Sequence, residues 1–170
     1  NYDSLIQWKG KLYHIQNSVD MTEYDQISET ARTDELTRML NRRGGSERLI
    51  RALEQGSREN QIVTVVLYAI NELKSVNDRY GHSEGDKLLQ YVASIAKECL
   101  GRLDFMYRLS GDEFVMVFYG RDMNAADESM KRLLTRAGQE RERLLKEYDV
   151  SFSYGIAEVY PGEMGSVEDI

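Results

Sequence analysis

Apolar and polar positions along the chain fall into blocks whose period changes repeatedly. Ile62–Ile70, IVTVVLYAI, is a near-continuous apolar run rich in β-branched residues, the pattern of a central strand covered on both faces. Before it, Gly45–Gln55 carries Leu49, Ile50 and Leu53 at helical spacing. After it, Lys87–Leu100, free of Gly and Pro, repeats Leu88, Val92, Ile95 and Cys99 along one helix face. Asp104–Leu109 and Glu113–Tyr119 read as strands joined by the tight turn Ser110-Gly111-Asp112. Ala125–Tyr148 predicts a long helix with Met130, Leu133, Leu134, Ala137, Leu144 and Leu145 on its buried side, and Val150–Tyr160 a last strand. From Thr33 on, the order α-β-α-β-β-α-β predicts an α/β fold, a sheet with helices packed on it.

The front of the chain has a different texture. Residues 1–21 read as two short strands about Lys9-Gly10-Lys11, a hairpin that is marginal alone and so belongs to something larger; a disordered leader is the competing reading. Residues 22–32 place Tyr24, Ile27 and Ala31 at a spacing of three then four behind Thr22, a candidate N-cap followed by Glu23 and Asp25. That is a short helical linker, too short to be stable by itself. Three parts follow: 1–21, 22–32 and 33–170.

Composition narrows the function classes. In 170 residues, 22 Lys and Arg face 29 Asp and Glu, a net charge of −7, which argues against a nucleic-acid partner. The single Cys99 excludes a disulfide framework or a Cys-rich zinc site and fits a reducing, cytoplasmic setting. No apolar run approaches the roughly 20 residues of a membrane span, and no signal peptide opens the chain. An anionic ligand therefore needs local help, from a metal or a few placed basic groups.

Two places offer such chemistry. The central strand runs into Asn71, Glu72, Lys74, Asn77, Asp78 and Asp86, with Gly81 and Gly85 as turn residues; polar groups at a strand end sit on a rigid scaffold, although an ordinary surface helix and loop has the same composition. The turn Ser110-Gly111-Asp112-Glu113-Phe114 sets two acids between apolar strands, a candidate site for an oxygen-loving cation or simply good turn chemistry.

Taken together, TDELTRMLNRRGG at 33–45, LKSVNDRYGHSEGD at 73–86, RLSGDEF at 108–114 and VSFSYGIAEVY at 150–160 resemble the GGDEF family. Its members are diguanylate cyclases that condense two GTP into cyclic di-GMP. The resemblance implies a palm-like (ferredoxin-like, nucleotidyl cyclase) fold with a central, mostly antiparallel sheet flanked by helices. It implies guanine contacts from Asn77 and Asp86, which can accept and donate at the base edge, and a phosphate contact from Lys74. Asp112 matches the metal ligand of the signature turn, and Glu113 a group that helps deprotonate the attacking hydroxyl. The implied cofactor is magnesium, which carries much of the charge neutralisation in phosphoryl transfer. The implied partners are a second copy of the domain, GTP, cyclic di-GMP, and neighbouring sensor and output domains. Residues 1–21, with Trp8-Lys-Gly-Lys11 and Val19-Asp-Met-Thr-Glu23 at the junction, resemble the end of a PAS sensor domain.

Three departures stand against full activity. Where the family has a metal-binding Asp at the end of the central strand, this chain has Ala69, and the motif's next acidic position is Asn71; Glu72 is a nearby carboxylate, but alternation points it elsewhere. The first Gly of the signature is Ser110, and in register with Asp104 the Arg of the family's product-inhibition site is Gly101, with Arg102 one residue off. The family's C-terminal helix, with its phosphate-binding Lys and Arg, is represented only by Ser166-Val-Glu-Asp-Ile170. Other residues take structural readings: Cys99 core, His82 a turn hydrogen bonder, His14 surface, Arg42 and Arg43 ion pairing or capping. The readings that remain are an active dimeric cyclase, a catalytically impaired domain that binds GTP and regulates a neighbour such as a cyclic di-GMP phosphodiesterase, and a dimerising scaffold. Ala69 favours the second over the first, and a retained guanine pocket argues against the third.

Overall fold

A computed structural model describes residues 3–8, 11–16, 32–144 and 148–163. The reading of 22–31 as a linker helix and of 166–170 as the start of a helix falls outside them. In chain order the elements are β1 (Asp3–Trp8), β2 (Lys11–Gln16), α1 (Arg42–Glu59), β3 (Val63–Ile70), α2 (Leu73–Tyr80), α3 (His82–Lys97), β4 (Phe105–Ser110), β5 (Glu113–Tyr119), α4 (Met123–Leu144) and β6 (Phe152–Val159). β1 and β2 form an antiparallel hairpin with Trp8 opposite Lys11.

The other strands form one sheet in the order β4-β5-β3-β6, every neighbouring pair antiparallel. From β3 on, the order β-α-β-β-α-β is the split arrangement of ferredoxin-like folds, as expected. Alternation along β3 divides the core. Val66, Tyr68 and Ile70 face a cluster with Val76 of α2, Leu88 and Val92 of α3, and Met130 and Leu133 of α4. Val63, Val65, Leu67 and Ala69 face the other side, with Leu49 and Leu53 of α1. All eight residues of β3 are buried, which is why its sequence shows no polar alternation.

α1 and α3 begin earlier than their apolar spacing predicts. α1 begins at Arg42 because Asn41 caps it, its side chain accepting from Gly44 N at 3.0 Å, so capping rather than the apolar stripe sets the boundary. The polar run after β3 is itself helical, α2, and α3 starts at His82, five residues before its first core leucines require. Gly81 lies between them at φ 87°, ψ 157°, a conformation that an L side chain rarely adopts. His82 makes no side-chain hydrogen bond among the described residues; Gly81 makes the turn through its backbone, donating to Asn77 O at 2.8 Å. Cys99 is half-buried at the margin of the helical-face core.

α1 approaches β4 closely enough that Gly45 has no room for a side chain: a Cβ there would lie 2.0–2.5 Å from Tyr107 ring and Cβ atoms. Gly45→Ala should therefore cost about 2–4 kcal/mol in urea unfolding, the range of an overpacked core or somewhat beyond it. Gly138→Ala, where nothing lies within 4 Å of an added Cβ on the exposed side of α4, should instead gain about 0.5–1 kcal/mol from helix propensity.

Candidate functional site

Antiparallel pairing carries two distant turns to the end of β3. Ala69 stands opposite Glu113 of β5 on one side and Ser153 of β6 on the other. Ile70 N donates to Asp112 O at 3.1 Å, and Asn71 N to Ser151 O at 2.9 Å. The signature turn and the strand exit are thus hydrogen-bonded neighbours.

Each polar group at this end has a definite position. Asn71 is bonded through both of its amide atoms: Nδ2 donates to Ser151 Oγ at 3.0 Å, and Oδ1 accepts from Ser153 Oγ at 2.7 Å. Ser110 Oγ donates to Glu113 Oε2 at 2.7 Å. Asp112, partly buried in the turn, has no side-chain bond to another described residue. Ala69 contributes no donor atom. Glu72 occupies the left-handed region at φ 59° as the residue before α2, exposed to solvent. No group of three or more His, Cys, Asp or Glu able to hold a metal occurs among the described residues.

The turn itself is clamped from behind. Arg108 donates through Nε and Nη2 to Gly111 O at 3.0 and 2.7 Å, and through Nη1 to both carboxylate oxygens of Asp34 at 3.1 and 3.2 Å. Asp34 also accepts from Thr37 N at 2.8 Å and Thr37 Oγ1 at 2.7 Å. Partial burial raises the Asp34 carboxyl, but the Thr37 hydrogen bonds and the Arg108 guanidinium outweigh it and leave its pKa below the ordinary value. Residues 33–41 are tied in by bridges Thr33↔Leu40 and Leu40↔Tyr107, and Arg108 N donates to Leu40 O at 2.9 Å. Asp34 and Arg108 both lie in the recognised motifs, but their pairing is visible only once the register is known.

A second corner lies on α2 and α3. Lys74 is exposed in the first turn of α2, Asn77 is partly buried further along it, and Asp86 is exposed in α3 beside Gly85. Gly85 is buried, and a Cβ on it would fall 1.9 Å from Asn77 Oδ1. The Asn77 amide therefore occupies the space that a side chain at 85 would need, next in sequence to Asp86. Behind the corner, Glu84 accepts from Tyr148 Oη at 2.9 Å and from Lys87 Nζ at 3.5 Å.

Arg102 and Asp104 are not brought together as a pair. Asp104 is buried and committed: Oδ2 accepts from Gly101 N at 2.7 Å and Arg121 Nη1 at 2.9 Å, and Oδ1 from Tyr119 N at 3.1 Å. A Cβ at 101 would meet Asp104 Oδ2 at 2.9 Å. Arg102 lines a groove of about 430 Å³ on the α1 side together with Arg32, Arg48 and Arg51.

With the geometry described, comparison with known proteins places it. The family model described as "Diguanylate cyclase, GGDEF domain" matches residues 31–170. The bifunctional diguanylate cyclase/cyclic di-GMP phosphodiesterase MucR of Pseudomonas aeruginosa is 34% identical over 138 residues, covering 81% of this chain and 20% of that protein. The diguanylate cyclase DgcS of Shewanella oneidensis is 28% identical over 144 residues, 85% of this chain and 48% of that protein. The chain thus spans between about a fifth and a half of the length of these relatives. Among solved structures, the GGDEF domain of DgcB from Caulobacter crescentus, in complex with cyclic di-GMP, superposes with a TM-score of 0.72 at 28% identity, covering 79% of this chain and 81% of that one.

The Asp34 carboxylate makes a pH prediction. A depressed folded-state pKa contributes stability that is complete above the unfolded value, about 3.9, and is lost as pH falls through the folded value. Asp34→Asn should lower the urea midpoint at pH 7, and the gap from the unsubstituted chain should narrow steadily on acidification below about pH 4. A gap that stays constant to pH 2.5 or below would assign the loss to geometry, not charge.

Proposed function

The chain belongs to the GGDEF family of diguanylate cyclase-like domains found in cyclic di-GMP signalling proteins, and from that premise we propose that it binds a guanine nucleotide while its conversion of two GTP to cyclic di-GMP is strongly reduced or absent. The observation that carries this reading is the contrast between the two ends of the site. At the α2–α3 corner, Asn77 and Gly85 are sterically fitted to one another, Asp86 follows Gly85 exposed on α3, and Lys74 is exposed on α2. At the strand end, Ala69 supplies no ligand atom and Asn71 is spent on Ser151 and Ser153.

In this reading the Asn77 and Asp86 side chains take the guanine edge, where an amide and a carboxylate together match its donors and acceptors. Lys74 supplies a point charge toward the phosphates. Glu113 is the candidate base for an attacking hydroxyl, but one of its two carboxylate oxygens already accepts from Ser110. GGDEF diguanylate cyclases generally use magnesium. Here the donor set does not fit that role as the family has it: Ala69 brings no donor atom, Asn71 is neutral and bonded to Ser151 and Ser153, no group of three or more His, Cys, Asp or Glu able to hold a metal occurs among the described residues, and no catalytic step is routed through a metal.

The same reading extends to the rest of the parent protein. Residues 1–21 are the end of a PAS-like sensor, 22–32 a helical connection and 33–170 the GGDEF domain, acting as a dimer on a neighbouring output domain. The relative PdeR of Escherichia coli, 31% identical over 153 residues and named a cyclic di-GMP phosphodiesterase, supports an output of that kind. A product-inhibition site at Arg102 and Asp104 is disfavoured, because Asp104 serves Gly101, Tyr119 and Arg121 instead. Among the described residues, no helix is long and apolar enough to cross a membrane.

Calorimetric titration with GTP and chromatographic assay for cyclic di-GMP test the reading together. Saturable GTP binding should weaken at least about tenfold in Asn77→Ala, the loss of roughly 1.4 kcal/mol expected for a base-edge contact. Gly85→Ala should weaken it comparably by displacing the Asn77 amide. Turnover at a rate typical of the family in the unsubstituted chain would overturn the catalytic half of the proposal, and absence of GTP binding would overturn the other half.

A further inference from the structure

We propose that nucleotide binding at this site is independent of divalent cations. The proposal rests on the nucleotide-binding reading above and goes further, because it concerns what replaced the metal. The polar side chains of the residues paired with or next to Ala69 on β3, β5 and β6 are bonded to one another. Ser153, directly across from Ala69, gives its hydroxyl proton to Asn71 Oδ1. Asn71 gives an amide proton to Ser151 Oγ. On the other side, Glu113, also directly across from Ala69, receives the Ser110 hydroxyl.

A hard cation requires oxygen donors that can turn toward it together, with carboxylates providing most of the charge. Asn71 can offer only a carbonyl oxygen, and turning it toward a cation breaks the Ser153 bond and leaves the amide to be re-partnered. Glu113 is held through Oε2 by the Ser110 hydroxyl, a charge-assisted hydrogen bond that restricts how its carboxylate can turn. No three carboxylates, histidines or cysteines are grouped there to hold an ion among the described residues, and partly exposed carboxylates beside bulk water attract one weakly. A cation held jointly by protein and nucleotide raises nucleotide affinity by the factor by which the nucleotide raises cation affinity. With no carboxylate at 69 or 71 to pair with the turn acids, that factor is close to one. The nucleotide is therefore read through its base and by Lys74, and a metal bound to the triphosphate in solution enters or stays away with little consequence.

The test has two arms. GTP is titrated into the full chain in magnesium and in EDTA: dissociation constants within about threefold of each other, less than about 0.7 kcal/mol of coupling, are expected, and a larger difference overturns the proposal. In the second arm, Mn2+ alone is titrated by electron paramagnetic resonance into the nucleotide-free chain and into the doubly substituted Ala69→Asp, Asn71→Asp chain, with folding checked by circular dichroism. The unsubstituted chain should show no saturable site below about 1 mM, and the folded double variant should acquire one, since it regains the paired carboxylates a hard cation needs. A site in the unsubstituted chain, or none in the folded variant, overturns the proposal. If GTP fails to bind in either buffer, the nucleotide-binding reading falls, while the Mn2+ arm still decides whether the strand end excludes cations.

Discussion

The antiparallel register of β3 is the constraint on which the rest of the structure depends. Because β3 is paired along both edges and buried along both faces, it cannot slip by one residue without exchanging two complete apolar sets, Val66-Tyr68-Ile70 and Val65-Leu67-Ala69, between opposite cores. The register is consequently fixed to the residue. Once it is fixed, Glu113 and Ser153 lie opposite position 69, and the backbone of Asp112 reaches Ile70. The candidate site follows from strand pairing that is required for packing in any case.

The hairpin turn needs a second restraint, since turns at sheet ends are ordinarily free to move. Arg108 provides it by spanning the Gly111 carbonyl and the Asp34 carboxylate, and Asp34 is fixed in turn by Thr37, itself buried. The loop 33–41 thereby connects the start of the domain to the back of the signature turn.

How far the sequence alone reveals this depends on the range of the interaction. β3, the β4–β5 hairpin and the helical faces are legible because burial leaves a local periodic trace: Leu49 and Leu53, or Leu88 and Val92, are a turn or so apart. α2 has no such trace. Its one buried residue is Val76, so Leu73–Tyr80 reads as polar loop as well as helix, and what makes it helical is packing against the sheet and the break at Gly81. Family motifs located Asn77, Asp86, Lys74, Asp112 and Glu113 without showing what surrounds them. The Asn71–Ser151–Ser153 set joins residues about 80 apart, and at the Gly85–Asn77 approach between helices an added Cβ would fall 1.9 Å from Asn77 Oδ1. Neither leaves a pattern in composition or spacing.

The two ends of the site also differ in how freely substitution can alter them. Asn77 and Gly85 are interlocked, and Gly85 lies in the first turns of a helix that carries Leu88, Leu89 and Val92 into the core. A change there disturbs packing as well as any ligand. Positions 69, 71 and 110 are different. Backbone pairing of β3 with β5 and β6 runs through the main chain at 69, Asn71 is held by the Ser151 and Ser153 hydroxyls, and Ser110 fits the end of β4 without left-handed backbone, the positive φ falling instead on Gly111. The polar side chains at 71 and 110 are thus held by local hydrogen bonds, whereas Asn77 and Gly85 are locked to a helix that the core itself holds. The proposed loss of turnover with retained recognition follows from this difference, since the interactions that fold the domain protect one end of the site and not the other.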